Sequence, residues 1–220
     1  DIAVIEVGLG GRLDSTNIIL PELSVITNIS YDHMDLLGNT LQKIAFEKAG
    51  IIKPGIPVLI GEEQAEVKDV FLRVAEQNHS PVHFASRKRF VDDWRFSRHQ
   101  LEVELTDKQS NEKRNYSLDL PGIYQTKNIV TVSEAVSLLN QHGFSIPETA
   151  VHSGLQNVKK LTGLHGRWDI LHDEPLLVLD VGHNEEGMKE IAKQIELTAH
   201  EELHLVIGMV KDKAIENILR

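Results

Sequence analysis

Cysteine is absent from the 220 residues, so neither a disulfide framework nor a thiolate zinc site is available. No apolar run approaches the ~20 residues that a helix needs to span a bilayer, and no signal segment opens the sequence. Positive charge is in deficit, with 23 Lys+Arg against 33 Asp+Glu and a formal net charge of −10. That balance argues against a nucleic-acid groove. An acidic chain can still hold an anionic ligand where metal ions and a few local bases gather. A cytoplasmic, soluble protein with no nucleic-acid and no membrane partner is therefore expected. Internal repeats and low-complexity tracts are lacking too. So is the phosphate-binding pattern G-x-x-x-x-G-K-[ST], which matches nowhere in the chain.

What is present is an apolar fraction of 41% in a length sufficient for one large domain, or one domain and part of a second. The chain opens at Asp1, without Met, in the strand-like run Ile2-Ala3-Val4-Ile5. It closes in the helical pattern Ala214 to Leu219. An internal fragment of a longer protein is expected. Short apolar runs alternate with amphipathic stretches, the rhythm of an α/β fold with a largely parallel sheet. Residues 2–7, 23–29, 56–61 and 81–85 read as strands, and 40–52 and 64–79 as helices. Alternation between Phe90 and Leu120, broken by the polar run 107–115, predicts an added antiparallel hairpin. Helices follow at 125–141 and 147–158. The stretch 161–172, with Gly163 and Gly166, reads as an interdomain linker. The β-α rhythm then restarts with a strand at 176–181, a helix at 185–198, a strand at 203–207 and a helix from Lys213.

Three polar residues stand where this pattern points to chemistry. Glu6 ends the first run, ahead of Gly8-Leu9-Gly10-Gly11. Ligands of open α/β sheets bind beyond the carboxyl ends of strands, and a carboxylate there suits Mg²⁺. A solvated loop acid is the plain alternative. A dinucleotide fingerprint fails because Leu13 occupies the third glycine position. His33 follows the second run, beyond a strand end like Glu6; a loop histidine is more often simply a surface residue. Lys48 falls on the face defined by Leu41, Ile44, Ala45 and Ile52, where helical spacing asks for an apolar side chain. It reads either as a lysine snorkelling at a helix end or as a partly buried amine able to add CO₂. The resulting carbamate would offer the oxygen ligands that Mg²⁺ prefers. Position alone does not choose between them.

The string Glu6-Val-Gly-Leu-Gly-Gly-Arg-Leu-Asp-Ser-Thr-Asn17 closely resembles the signature E-V-G-L-G-G-R-L-D-A-T-N of the folylpolyglutamate synthase/dihydrofolate synthase family, within the Mur ligase superfamily. Ile26-Thr-Asn-Ile-Ser-Tyr-Asp-His33 resembles that family's second motif, and Glu47-Lys-Ala-Gly-Ile51 its third. The resemblance implies two Mg²⁺ ions as cofactors. Glu6 would bind one, and His33 with a carbamylated Lys48 the other. It also implies that Leu13, Asp14 and Ser15 lie against a pterin substrate. The family's P-loop would fall upstream of Asp1.

Further motifs extend the resemblance over nearly the whole chain. Gly122-Ile-Tyr-Gln125-Thr-Lys-Asn128 resembles G-x-H-Q-x-x-N, with Tyr124 where His is common, and implies an adenine contact from Asn128. Taken alone it would be an ordinary polar helix start. His165-Gly166-Arg167 resembles P-G-R, which implies that Arg167 reaches ATP; on its own Arg167 would read as a hinge or surface residue. Asp180-Val-Gly-His183-Asn184 resembles D-G-A-H-N-P, with Val181-Gly182 for G-A and Glu185 for Pro. It implies a ribose contact from Asp180 and a phosphate-side place for His183. Gly208 to Lys213 resembles a later G-x-x-x-D-K motif.

The fold expected is α/β: a central P-loop-type ATPase domain with a mostly parallel sheet (1–160), the linker (161–172), and the start of a Rossmann-like C-terminal glutamate-ligase domain (173–220). The activity implied is an ATP-dependent ligase. Its partners would be ATP, L-glutamate and dihydropteroate or a reduced folate, joined through an acyl phosphate by a monomeric protein. The fragment alone would be inactive. A cell-wall-precursor ligase of the Mur type is the rival within the superfamily; the wording of 6–17 opposes it. A non-catalytic nucleotide-binding domain is the rival of another class, opposed by the joint presence of Glu6, His33 and Lys48.

Overall fold

The computed structural model describes residues 2–208. The motif residues beyond Gly208 and the helix expected from Lys213 lie outside them. In chain order the first elements are β1 (Ser24–Ile26), α1 (Met34–Leu37), α2 (Leu41–Ala49), β2 (Val58–Ile60), α3 (Lys68–Gln77), β3 (Val82–Phe84) and α4 (Ala85–Lys88). Then come β4 (Arg89–Phe96), β5 (Leu101–Asp107), β6 (Lys113–Leu118), α5 (Gln125–Gln141), α6 (Glu148–Gln156), α7 (Val158–Thr162), β7 (Asp169–Asp173), β8 (Leu176–Leu179) and α8 (Glu185–Leu197). The described residues form two compact units, one of 2–92, 105–114 and 127–147, the other of 93–104, 115–126 and 148–208.

The first unit is built on a parallel sheet, β1-β2-β3, with Ser24 opposite Val58 and Val58 opposite Val82. Parallel strands need covered faces, and α2 and α3 supply apolar cover. α2 starts where the Thr40 side chain accepts the Lys43 N–H at 3.2 Å, satisfying a donor that the first turn leaves open. It buries Ile44, Ala45 and Ala49, while α3 buries Val70, Phe71 and Ala75. These residues join Ile26, Ile29, Val58, Ile60 and Phe84 in one core. Each fully buried large side chain in it is worth about 1.5–3 kcal/mol relative to exposure. A buried acid completes this unit: the Glu134 carboxylate of α5 accepts from the Arg89 guanidinium at 2.7 Å. Burial pushes the Glu134 carboxyl up, against the pull of Arg89 and Lys88.

β4, β5 and β6 form a three-stranded sheet in that order. The segment expected to be one hairpin is thus two, joined at 97–100 and 108–112. The Asp107 side chain closes the second turn by accepting the Gln109 and Ser110 N–H groups, which is why the polar run turns there.

In the second unit, β7 pairs antiparallel with β8, Asp169 opposite Leu179, with a bulge between Ile170 and His172. β7 begins inside the stretch read as a linker, because Ile170 has Val178 to pair with. α7 is capped from outside, the Lys159 N–H donating to the Asp119 carboxylate at 2.9 Å. α8 opens on Asn184, whose side chain accepts the Gly187 N–H at 2.8 Å. Glu185 and Glu186 occupy its first turn, where the helix dipole favours negative charge.

Two expected strands are not formed. Residues 2–7 and 203–207 carry no ladder among the described residues, and Val4 and Val206 are 93% and 100% exposed. Strand preference is chiefly a preference for a half-buried pleated surface, and neither run has a neighbouring strand there to provide one.

Candidate functional site

The glycine-rich string after Glu6 folds into a loop locked onto the end of α2. The Arg12 N–H donates to the Glu47 carbonyl oxygen at 2.8 Å. A methyl group added at Gly11 would stand 2.9 Å from the carbonyl oxygens of both Glu47 and Lys48, and one at Gly50 would stand 2.3 Å from the Arg12 Cα. The two glycines therefore let two backbones meet at a distance no other residue permits. The Arg12 guanidinium holds the Glu47 carboxylate at 2.9 Å. The Asn17 side-chain amide spans the junction, donating to the Arg12 and Gly50 carbonyl oxygens at 3.1 and 3.0 Å. Gly10 in turn lies against Leu37 of α1. The first and third motifs thus meet directly.

Asp14 organises the interior of this loop. One of its carboxylate oxygens accepts the Leu9 N–H at 2.9 Å, and the other accepts the Thr16 N–H at 2.9 Å and the Thr16 hydroxyl at 2.6 Å. The Thr16 hydroxyl bond, with the backbone bonds behind it, holds the Asp14 carboxyl down at about 2. Its neighbours Leu13 and Ser15 remain exposed on either side. Asp14 shapes the loop that presents them, a role invisible in the string itself.

The second motif leaves the parallel sheet through Ile29, whose N–H and carbonyl are both taken by the Gln64 side chain at 2.8 Å. The chain then turns through His33 in a left-handed conformation, φ 47. A non-glycine residue adopts that rarely. The imidazole is exposed, and its Nε2 stands 3.8 Å from the Asp32 carboxylate. Glu6 is exposed and makes no hydrogen bond or ion pair among the described residues. Lys48, in the last turn of α2, is half-buried and likewise forms no ion pair among them. These motif positions supply a carboxylate at Glu6, an imidazole at His33 beside the Asp32 carboxylate, and an amine at Lys48. The carboxylate oxygens suit Mg²⁺, and the Lys48 amine would offer oxygens only as a carbamate.

In the second unit Asp180, just past β8, is held by three donors. Its Oδ2 accepts the Tyr124 hydroxyl and the Trp168 N–H, both at 2.7 Å, and its Oδ1 accepts the Gly182 N–H at 2.8 Å. Trp168 reaches it from a left-handed backbone, φ 50. Burial, reinforced by the Asp180 charge, pushes the Tyr124 phenol well above its ordinary value, so it stays a donor. Arg167 is half-buried, one guanidinium nitrogen 3.2 Å from the Gly166 carbonyl. His183 is exposed, its Nδ1 3.0 Å from the Val181 carbonyl. Asn128 belongs to the first unit, exposed in the first turn of α5.

Sequence reasoning missed three groups here. Asp169 is 5% exposed and bonds Lys159 at 2.8 Å and His165 at 2.9 Å. Burial raises its carboxyl, but Lys159 and His165 outweigh that, and the net direction is down. Gln194 is fully buried and its side-chain oxygen accepts the Ile123 N–H at 2.6 Å. Trp168 contributes only its backbone. None of these carries a motif; the one available hint was a polar Gln on the apolar side of α8. A polar cleft of about 420 Å³, lined by Trp94, Tyr116 and His152 among others, contains none of the motif residues.

The Mur ligase middle domain matches residues 1–136. The dihydrofolate synthase/folylpolyglutamate synthase of Bacillus subtilis is 34% identical over the whole chain, which covers 50% of that protein. Among solved structures, folylpolyglutamate synthase from Thermotoga maritima superposes with a TM-score of 0.75 at 30% identity, over 97% of this chain and 47% of that one. A folylpolyglutamate synthase–AMPPCP–folate complex gives 0.79 at 29%, over 89% and 47%. The chain spans about half the length of the relatives it matches. With the middle-domain family matched over more than half its residues and a mixed α/β fold shared with these structures, the chain belongs to the Mur ligase family.

Proposed function

We propose that this chain is part of an ATP-dependent ligase that joins L-glutamate to the carboxylate of a folate or of dihydropteroate. The observation that carries the reading is the meeting of the first and third motifs, where Gly11 and Arg12 reach Glu47 and Lys48, with Gly10 against Leu37 of α1. A loop locked this tightly is suited to fixed positioning of charged groups, from which such catalysis draws most of its rate. The relative solved with AMPPCP and folate carries both kinds of ligand.

In the proposed reaction the acceptor carboxylate attacks the γ-phosphorus of ATP, giving an acyl phosphate and releasing ADP. The glutamate amine then attacks the acyl carbon, and phosphate leaves. Glu6, His33 and a carbamylated Lys48 would hold two Mg²⁺ ions, which when bound offset the crowded phosphate charge. Asn128, Arg167, Asp180 and His183 would hold the nucleotide. A guanidinium such as Arg167 suits phosphate geometry. Leu13, Asp14 and Ser15 would lie against the pterin ring, on a loop that the Asp14 hydrogen bonds keep in shape.

Residues 1–160 would form the ATPase domain, 161–172 its link and 173–220 the start of the glutamate-ligase domain. A monomeric cytoplasmic enzyme is part of the same proposal. No helix among the described residues is long and apolar enough to cross a membrane. Ligase activity is expected of the complete protein, which would supply the P-loop, and not of these 220 residues alone.

The test is Mg²⁺-dependent ADP release by the complete protein with glutamate, comparing dihydropteroate, tetrahydrofolate and a cell-wall precursor as acceptor. Release with either pteridine supports the reading. Release with the cell-wall precursor alone moves the protein to the sister branch, and no release with any acceptor overturns the enzymatic reading.

A further inference from the structure

The carboxylate of Asp180 is held unevenly. Its Oδ2 accepts two hydrogen bonds, from the Tyr124 hydroxyl and the Trp168 N–H at 2.7 Å each, while Oδ1 accepts one, from the Gly182 N–H at 2.8 Å. An ionised carboxylate offers about four acceptor positions, two on each oxygen. Oδ2 is therefore saturated by protein donors, and Oδ1 keeps one position open. Two of the three donors are backbone groups of fixed place. The Tyr124 hydroxyl is the side-chain donor that decides which oxygen is saturated.

Tyr124 is itself held firmly. Its ring lies over its own turn, so that a methyl group at Gly122 would stand 2.6 Å from the ring carbon bearing the hydroxyl. The turn is tied down through the Ile123 N–H, which donates to the side-chain oxygen of Gln194 in α8 at 2.6 Å. A phenol pushed upward by burial and by the adjacent carboxylate donates throughout the working pH range.

We propose that Tyr124 is a positioning residue that sets nucleotide specificity, turning Asp180 so that Oδ1 alone is offered to a ribose hydroxyl. The inference rests on the nucleotide role of Asp180 under Proposed function and adds to it the residue that selects for the ribose diol. Tyr124 touches no reacting atom; it acts through Asp180.

The experiment is calorimetric titration of the complete protein with ATP and with 2′,3′-dideoxy-ATP, for the wild type, Tyr124→Phe and Tyr124→His. Tyr124→Phe removes one oxygen and keeps the ring, and an unchanged thermal melt checks that the fold is kept. The wild type is expected to prefer ATP. Tyr124→Phe is expected to bind ATP about tenfold more weakly, the loss typical of one charge-assisted hydrogen bond, and to bind the dideoxy nucleotide as the wild type does. Tyr124→His returns an N–H donor and is expected to regain part of the preference. Equal weakening of both nucleotides would mean that Tyr124 is merely structural, and no change in either would overturn the inference outright. A wild type that binds ATP and dideoxy-ATP alike removes the ribose role of Asp180 while leaving the ligase reading intact. A wild type that binds neither overturns both.

Discussion

Gly50 and Arg12 occupy space that only a glycine leaves open: a methyl group on the first would lie 2.3 Å from the Cα of the second. Gly50 has φ −61, an ordinary helical value, so backbone conformation does not require glycine here. Helix propensity taken alone would even favour alanine by about 1 kcal/mol. The overlap with a backbone atom has the opposite sign and the larger size, about 1–3 kcal/mol for overpacking of this kind. Gly50→Ala is therefore expected to lower the thermal melting midpoint and to loosen the loop carrying Leu13 and Ser15. A melting point at or above that of the wild type would show that the loop yields freely.

Asp14 gives the loop a pH dependence of defined sign. Its carboxyl is lowered from an ordinary 3.8 to about 2 in the folded chain. Folding thus favours the charged form, and the contribution is present above the ordinary value and lost as the pH falls through about 2. Asparagine keeps the shape but presents one acceptor oxygen instead of two, so it cannot serve both Leu9 and Thr16. Asp14→Asn is expected to be less stable than the wild type at pH 7, with the gap closing as the pH drops below 3.8 toward about 2. Urea midpoints across that range read the effect directly. A gap independent of pH would assign the loss to packing rather than to charge.

A good part of this was legible in the sequence. α5 has the bounds that its pattern predicts, Gln125 to Gln141, because an apolar stripe at helical period and a following Gly143 leave little choice. The parallel strands β1, β2 and β3 lie inside the predicted runs, but shorter, since a ladder lasts only as long as its neighbour. Residues 2–7 and 203–207 were read as strands from composition, which reports what a segment would do if paired and not whether a partner is there. In the candidate site, residue types at the motif positions were legible while their partners were not. Nothing in the string around Asp14 says that its carboxylate faces inward to Leu9 and Thr16. Likewise, no spacing rule links Tyr124 to Asp180, 56 positions away.

The Asp169 cluster behaves as a buried charge with its compensation attached. Lys159 donates to one oxygen at 2.8 Å and His165 lies 2.9 Å from the other. Removing Lys159 leaves an almost wholly buried carboxylate short of a donor, at a cost of about 1–3 kcal/mol. Lys159→Ala is expected to destabilise by that amount at pH 7. The folded carboxyl is depressed on balance, so the wild-type advantage is present above the ordinary carboxylate range and fades as the pH falls below it. Replacing Asp169 as well, in Asp169→Asn on the Lys159→Ala background, should recover part of the loss, because the buried charge goes with it. Two substitutions whose costs simply add would show that the pair is not coupled.

Lys48 offers the sharpest test of the proposed chemistry. It sits half-buried in the last turn of α2 without an ion-pair partner among the described residues. A snorkelling lysine in that place would contribute only its aliphatic stem, and arginine would replace it with little loss. A lysine that carries a carbamate is different: its working form is an anion, and neither alanine nor a permanently cationic guanidinium can supply one. In the complete protein, Lys48→Ala is expected to lose activity by about 10²–10³, the scale of removing one element of electrostatic stabilisation. Lys48→Arg should restore none of it, although nucleotide binding persists in both. Wild-type enzyme stripped of CO₂ should lose activity and recover it on addition of bicarbonate, since the carbamate forms reversibly. Full activity in Lys48→Ala, or rescue by Lys48→Arg, would leave this lysine as a packing residue and send the search for metal-binding oxygens elsewhere in the chain.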